Sequence, residues 1–398
     1  MKTKIKWFLK KLVLIYYRIL TFVLPLRKDV VVFTGSLGRS PFGSPRAICD
    51  KMIEEGLDRK YKLYYILDNP GAADIGGNVV KVKNSRLRFY YVMAVAGIWV
   101  CDTRLQNYII KRKGVVYIQT WHGTPLKKLA LDMNNVEMAE SRDIESYKRE
   151  FVKNSASWDY LVSQNPFSTE VFKRAFAFKK NIVECGYPRN DVLFYGNTPA
   201  YKEKLRRKYN IPDGKKVMLY APTWRDNKYY NNSDYKFETE LEFSKMKEHF
   251  CSEWVLLAKY HYMVKDNKDY SEYDGFVMPM KAESDIAELY LISDILITDY
   301  SSVMFDYSIL GKPMFFYVFD YESYKNELRG FYFDLAECAP GPLVNDTASL
   351  IAAIDGVVNG NESEKYKPAY DEFVKRFNPF DNGSASEKIA DIIKSSGK

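Results

Sequence analysis

An α/β fold with two parallel sheets, each covered by helices on both faces, is what the order of residues in this chain predicts. Short β-branched or aromatic runs alternate with longer helical ones through the first half, and a second alternating series begins after Lys216. Strand–helix alternation of this kind produces parallel sheets. The stretches that carry His, Lys, Ser and Asp together each lie just after a strand, where open parallel sheets bind their ligands. With two such domains, the ligand belongs in the cleft between them.

The first 28 residues stand apart. MKTKIKWFLKKLVLIYYRILTFVLPLRK mixes bulky apolar residues with eight Lys/Arg. As a helix, the apolar stretch Leu12–Leu26 would be about 22 Å long, short of a hydrocarbon core of about 30 Å, and it contains Arg18. Lys4, Lys11 and Arg18 recur every seven residues and so form one basic stripe. The expectation is an amphipathic segment lying in an anionic membrane surface, with Trp7, Phe8 and Leu14 among the acyl chains. A helix packed only against its own chain is the alternative. LPLRKDVVVFTG runs into a strand with no small-residue cleavage site, so a signal peptide is not expected.

Beyond Arg27, strands are expected at Val30–Phe33, Leu63–Leu67, Val79–Val82, Ile98–Cys101, Val115–Gln119, Tyr160–Val162 and Ile182–Val183, with helices at Arg46–Glu55 and Arg86–Val95. The polar stretch around Gly196–Pro199 separates a first domain, residues 29–198, from a second, residues 199–398. The second opens on the basic helix YKEKLRRKY. It continues through the strands VMLYAP, WVLLAKY, FVMP, ILIT and MFFYV, with helices at Tyr201–Lys208, Glu240–Phe250, Asp285–Leu291 and Ser302–Leu310.

With 398 residues, 46% apolar and 28% charged, the chain has a globular composition, not a disordered one. A net charge of +8 points to anionic partners without choosing among phosphates, membrane surface and nucleic acid. Nucleic acid fits poorly, because the charge is spread out with no RNA-binding signature. The five cysteines are scattered, with no CxxC and no Cys/His spacing for a metal, and read as buried free thiols.

Only three histidines occur. GVVYIQTWHGTP is a buried strand followed by His122 and by Pro125, which suits the first turn of a helix continuing through LKKLALDM. A neutral imidazole at such a place can take a proton from a hydroxyl; equally, a lone histidine can be structural. WVLLAKYHYM repeats the arrangement with Lys259 and His261, a cation and an imidazole suited to phosphate oxygens. His249 lies in a polar helix and reads as solvated. In DILITDYSSVMFDYSILGKP, Ser301 and Ser302 open a helix whose free N–H groups favour a phosphate, and Asp306 lies one turn on, within reach of a ribose hydroxyl. An ordinary N-cap explains the same residues. APTWRD adds Thr223 and Trp224, a hydroxyl and an aromatic plane, and CGYPRNDVL adds Arg189 in a turn. TGSLGRSPFGSPRA matches neither a Walker motif nor GxGxxG and reads as a flexible lip on the acceptor side.

Taken together, GRSPFGSPRA, QTWHGTPLKK, GYPRNDVL, APTWRD, AKYH and TDYSSVMFD make the chain resemble the CDP-glycerol:poly(glycerophosphate) glycerophosphotransferase family of teichoic acid biosynthesis. The resemblance spans residues 38 to 306. It implies a GT-B-like fold of two Rossmann-type domains and a monotopic membrane association, which fits the N-terminal segment, read as a peripheral attachment to the cytoplasmic face of the membrane. It implies that His122 is the catalytic base and that His261, with Ser301 and Ser302, holds the diphosphate. Trp121, Gly123, Thr124, Pro125, Arg189, Thr223, Trp224, Lys259 and Asp306 would line the CDP-alditol site. Tyr262, after His261, departs from the proline expected in many members. The lack of a large N-terminal extension leans toward a compact primase-like or short polymerase form.

The expected reaction is transfer of glycerol phosphate from CDP-glycerol to a hydroxyl of a lipid-linked saccharide or polyol-phosphate chain, with release of CMP. No carboxylate pair or DxD sequence suggests a metal, so no cofactor and no essential metal ion is expected. CDP-ribitol as donor, a sugar-nucleotide glycosyltransferase on the same fold, and a non-catalytic scaffold binding anionic polymer are the alternatives.

Overall fold

The computed structural model describes residues 2–134, 143–223, 229–231, 234–235, 240–260, 268–325, 330–360 and 362–397. It opens on helix α1 (Lys2–Val23), which lies against the first domain. Tyr17 is buried, its hydroxyl donating to Ile110 O at 3.3 Å, and Val13, Leu14, Tyr16 and Leu20 pack beside it. Leu14 therefore faces the protein core, not outward as expected. The opposite face carries Phe8, Leu12, Ile15, Ile19 and Phe22, spaced along one stripe and 46–91% exposed. Trp7 is exposed too, with Lys11 Nζ 3.7 Å from its ring centre. Among the described residues, no helix is long and apolar enough to cross a membrane.

The first sheet is built from β1 (Arg27–Thr34), β2 (Lys62–Leu67), β3 (Val79–Lys83), β4 (Ala96–Cys101), β5 (Val116–Gln119), β6 (Tyr160–Ser163) and β7 (Asn181–Glu184). All pairings are parallel, in the order β3-β2-β1-β4-β5-β6-β7. The order reverses between β1 and β4, the kind of switch point at which open parallel sheets place their ligand sites. Helices α2 (Ser44–Glu54), α3 (Leu87–Val95), α4 (Ile144–Ser155) and α5 (Pro166–Ala175) cover the sheet. Two of them start on side-chain caps: Asp143 accepts from Glu145 N–H and Ser146 N–H, and Asn165 accepts from Ser168 N–H.

A short helix α6 (Val192–Tyr195) and the basic helix α7 (Pro199–Lys208) lead into the second sheet. Its strands are β8 (Lys216–Tyr220), β11 (Trp254–Ala258), β12 (Val277–Pro279), β13 (Ile295–Thr298), β14 (Met314–Tyr317) and β15 (Leu343–Val344), and the small hairpin β9 (Tyr229–Asn231)–β10 (Asp234–Tyr235) stands outside it. The parallel order β12-β11-β8-β13-β14-β15 reverses between β8 and β13. α8 (Phe243–Phe250), α9 (Ile286–Ile292) and α10 (Val303–Tyr307) lie among these strands in sequence. Buried runs such as VVVF, GIWVC, VMLY, WVLLA and ILIT are continuous, not alternating, as a sheet covered on both faces requires.

Two features depart from the expected layout. The chain does not stay in its second domain: helix Ser363–Phe377 packs there through Phe373 and Phe377, and helix Ala385–Ser396 returns to the first domain through Ala385, Ile389, Ala390 and Ile393. And LKKLALDM forms no helix; only Ala130–Asp132 makes a single 3₁₀ turn. Three cysteines (Cys49, Cys101, Cys185) are buried as expected, but Cys251 is exposed and Cys338 half-buried.

The returning helix makes the two domains depend on each other. Ile389→Ala removes a fully buried side chain from the first core and should lower stability by about 2–5 kcal/mol in urea unfolding; a change below about 0.5 kcal/mol would contradict this anchoring.

Candidate active site

β5 ends at Gln119, and of the two residues after Thr120 one is buried and the other exposed. Trp121 is left-handed (φ 55°) with its N–H donating to Gln119 Oε1 at 3.0 Å. Its indole turns into the first domain, packed on Phe176, Phe172 and Phe151 at 4.6, 5.9 and 6.4 Å. A left-handed tryptophan is strained, and the strain delivers His122 to the cleft. The imidazole stacks on Trp121 at 4.5 Å and its Nδ1 lies 2.8 Å from Asp102 O. A carbonyl only accepts, so in the neutral ring Nδ1 carries the hydrogen and Nε2 keeps its lone pair. Surrounding protein desolvates the ring and, with the Arg189 and Arg104 cations, lowers its pKa from 6.5 to about 4, against the opposing effect of the hydrogen bond it donates to Asp102 O. The ring is nonetheless exposed at the cleft, so water offsets part of that desolvation. The direction is clear: His122 is neutral at pH 7.

The next residue crosses to the other domain. A Cβ at Gly123 would lie 2.9 Å from Ser302 Oγ and 3.1 Å from Ser302 Cβ, so only glycine lets the two strand-end loops meet. Beside it Arg189 spans the seam: Nη1 donates to His122 O at 2.7 Å and Nη2 to Asp306 Oδ2 at 2.6 Å, largely out of water. Asn190 Nδ2 donates to Asp306 Oδ1 at 3.0 Å and is 3.2 Å from Asp381 Oδ1. Burial pushes Asp306 above the usual carboxylate range, with Arg189 and Asn190 pulling it back. Both Asp306 oxygens are thus occupied within the protein. Expected to reach a ribose, this carboxylate instead ties the domains together.

Thr124 and Pro125 are buried behind the cleft. Thr124 Oγ1 donates to Gln164 Oε1 at 2.6 Å and accepts from Asn165 Nδ2 at 2.9 Å. Gln164 Nε2 reaches Asp381 Oδ2 at 3.0 Å, and Asn165 Nδ2 reaches Phe377 O at 2.7 Å. Thr124 therefore belongs to a buried seam network, not to a ligand surface. Beyond it the chain stays extended because it pairs across the domains. Lys127 bridges Phe331, Lys128 N–H donates to Gly330 O at 3.1 Å, and Tyr332 N–H to Leu126 O at 2.8 Å. The helix expected to start at Pro125 is displaced by these bonds, so His122 sits at no helix N-terminus.

From the second domain, Thr223 and Ser301/Ser302 arrive at the β8–β13 switch point. Thr223 is buried, its N–H donating to Asp299 Oδ1 at 2.8 Å. Ser301 and Ser302 are half-buried, and Ser302 precedes α10 without capping it. α10 has only five residues, so what this end offers is hydroxyls more than a helix dipole. Lys259 turns aside: Nζ donates to Lys281 O and Ala282 O at 2.7 and 2.8 Å, and burial lowers its pKa to about 8. Trp224 and His261 lie outside the described residues, so their convergence with His122 is not described. His249 is exposed and pairs with Asp355 at 2.7 Å.

Sequence reasoning missed Asp102, Asn190, Gln164, Asn165 and Asp381. Asn190 stood in the quoted GYPRND; the others carried no local signal. Among the described residues, no group of three His, Cys, Asp or Glu could hold one metal ion.

Two outcomes follow. Removing Asp306 leaves Arg189 buried without its anion, so Asp306→Ala should lose about 3–5 kcal/mol of unfolding free energy, measured in denaturant. The base form of His122 persists below the ordinary histidine value of 6.5 and is lost as pH falls toward about 4. The acid limb of kcat/KM should therefore lie below 6.5, and a limb at or above it would contradict the geometry.

The family model for CDP-Glycerol:Poly(glycerophosphate) glycerophosphotransferase matches residues 15–395. A teichoic acid poly(glycerol phosphate) polymerase of Bacillus spizizenii is 41% identical, covering 99% of this chain and 100% of its own length. The Bacillus subtilis polymerase of the same name is 40% identical over 93% of this chain and 49% of its own length, so this chain spans about half of that longer relative. A teichoic acid glycerol-phosphate transferase of Staphylococcus aureus is 36% identical over 92% of this chain and 93% of its own. Among solved structures, the wall teichoic acid polymerase TagF superposes with a TM-score of 0.90 at 35% identity, covering 99% of this chain and 96% of that one. The UDP-GlcNAc 2-epimerase of Neisseria meningitidis, 12% identical with a TM-score of 0.53 over 92% of this chain and 99% of that one, shares the fold alone. With nearly its whole length matched, the chain belongs to the CDP-glycerol:poly(glycerophosphate) glycerophosphotransferase family.

Proposed function

We propose that this chain transfers glycerol phosphate from CDP-glycerol to a hydroxyl of a membrane-bound teichoic acid chain, releasing CMP. The observation that carries the reading is His122: Nδ1 is committed to the Asp102 carbonyl, which leaves Nε2 its lone pair on an exposed ring, and the adjoining Gly123 brings Ser302 of the second domain into contact. A solved TagF variant soaked with CDPG supports the donor class. The relatives named for glycerol phosphate include four at 36–41% identity, whereas those named for ribitol phosphate stand at 28%, which favours glycerol over ribitol.

The reaction is one in-line displacement. The acceptor oxygen attacks the β-phosphorus while its proton passes to His122 Nε2. The bond from that phosphorus to the bridging oxygen breaks, and CMP leaves with the electron pair. Such transfers depend on positioning and on charge stabilisation at the phosphoryl oxygens. Ser301 and Ser302 hydroxyls supply donors on the second-domain side, with His261 joining them by family resemblance. Arg189 keeps a cation beside the base, opposing its protonation before the hydroxyl arrives.

In this reading the chain sits at the cytoplasmic face of the membrane, and the exposed stripe on α1 supports the attachment itself. Phe8, Leu12, Ile15, Ile19 and Phe22 would enter the acyl boundary, flanked by the exposed cations Lys11 and Arg18. Each such side chain contributes about 1.5–3 kcal/mol when buried. Ile15→Glu with Ile19→Glu should thus weaken binding to vesicles containing anionic lipid at least about ten-fold, read by co-sedimentation.

General-base catalysis is worth about 10²–10⁴-fold, so His122→Ala should cut CMP release by that range while CDP-glycerol still binds. The assay compares CDP-glycerol with CDP-ribitol on a primed lipid acceptor. Near-normal turnover in the variant would reject the base, and a preference for CDP-ribitol would reject the donor.

A further inference from the structure

The reaction leaves unexplained a left-handed turn after β1 and a buried carboxylate after β4. Ser36, Leu37 and Gly38 all have positive φ (48°, 58° and 95°), a run that L-residues hold only under constraint. The constraint comes from the neighbouring strand end. Ser36 N–H donates to Asp102 Oδ1 at 2.7 Å, and Leu37 N–H to Thr103 Oγ1 at 3.1 Å. Successive amides in such a turn are otherwise free to seat an anion; here the Asp102 carboxylate takes the first and the Thr103 hydroxyl the second. The loop then closes on itself. Gly35 bridges Ser40, and a Cβ at Gly35 would be 2.8 Å from both Ser40 O and Phe42 O. It returns past the same carboxylate, since a Cβ at Gly43 would be 3.4 Å from Asp102 Oδ2. TGSLGRSPFGS is therefore a pinned structure, not the flexible lip expected of its composition.

Asp102 also faces the other way. Its main-chain carbonyl takes the Nδ1–H of His122 at 2.8 Å. One residue, at the β1–β4 switch point, thus holds the loop by its side chain and the imidazole by its backbone. The charged groups that face the ring are Arg104 and Arg189; Asp102 acts on it through the carbonyl.

We propose that Asp102 is a positioning residue that fixes loop 35–43 and the His122 ring as one unit, so that the loop forms the acceptor wall and presents a polyol hydroxyl to Nε2. Ser36 and Ser40 are half-buried on this loop, and their hydroxyls would suit the polyol end of a glycerol-phosphate chain. The proposal rests on the reading of His122 as base.

The test compares Asp102→Asn, Asp102→Ala and Thr103→Val with wild type. CMP release is measured with donor and acceptor varied separately, and His122 is titrated by NMR with labelled histidine, of which the chain has only three. The asparagine oxygen can still accept from Ser36 N–H, so Asp102→Asn should stay within about three-fold of wild-type kcat. Asp102→Ala should lower kcat at least about ten-fold, raise the acceptor KM with the donor KM unchanged, and move the His122 titration up toward that of a free histidine. Thr103→Val loosens the loop but not the ring: the acceptor KM rises and the titration stays in place. An unchanged acceptor KM in both Ala and Val variants, an unmoved titration in Asp102→Ala, or an asparagine variant as damaged as the alanine one would overturn the proposal. If Asp102→Ala does not fold, the acceptor KM of Thr103→Val decides. A wild-type chain that released no CMP would instead overturn the functional reading, and the titration arm would still decide whether Asp102 sets the ring.

Discussion

One guanidinium holds the site together. Arg189 gives one nitrogen to the carbonyl of His122 and another to the carboxylate of Asp306, bridging the strand-end loop of one domain and the short helix of the other. Arginine suits this place because its planar fork serves two acceptors at once and stays charged. The pair sits largely out of water, where an ion pair adds little net stability against an apolar replacement but loses much when one partner is removed. Its role is therefore geometric: it makes the position of the His122 imidazole depend on the closeness of the two domains. Its charge has a second effect, since a cation beside the imidazole disfavours protonation and keeps the Nε2 lone pair available.

The surrounding fold makes that bridge possible. Both sheets reverse strand order where their C-terminal ends face the cleft, and His122 follows β5, one strand beyond the first reversal. Gly123 permits contact with Ser302 that a side chain would block. The chain then crosses the seam twice more, through the Leu126–Leu129 pairing with Gly330–Tyr332 and through the return of the last helix to the first domain. Asp381 sits in that returning segment and binds Gln164, Asn190 and Tyr187 N–H. Burial lifts its pKa to about 6, so it and its partners form a buried polar belt whose donors and acceptors come from both domains. Such a belt specifies one arrangement of the domains more than it stabilises them.

What was legible in the sequence was whatever depended on near neighbours. Continuous apolar runs such as VVVF and ILIT announced buried strands, and His122 and Ser302 were visible because each follows such a run. Long-range pairing was not legible. LKKLALDM has helical propensity, yet Leu126 and Lys128 bond residues some two hundred positions away. Asp306 was noticed for its spacing from Ser302, but its partner Arg189 lies 117 residues earlier, so a carboxylate that joins domains looked like one that reaches a ribose. Asp102 gave no signal at all: an acid after a strand is ordinary, and both its partners, Ser36 N–H for the carboxylate and the His122 ring for the carbonyl, lie far off in sequence. On α1 the apolar stripe and the cations were legible, whereas the inward turn of Leu14 depended on where the core lies.

The proposed function rests on one claim: the donor phosphate is received between two domains already joined by the Arg189 bridge, on the Nε2 side of His122. The most direct measurement is a crystal structure of the chain with CDP-glycerol bound in the cleft. The account predicts the β-phosphorus on the Nε2 side, a phosphoryl oxygen within hydrogen-bond distance of Ser302 Oγ, and the Arg189–Asp306 pair intact. A diphosphate lodged away from both residues, or Asp306 released from Arg189 to bind the ribose, would contradict it.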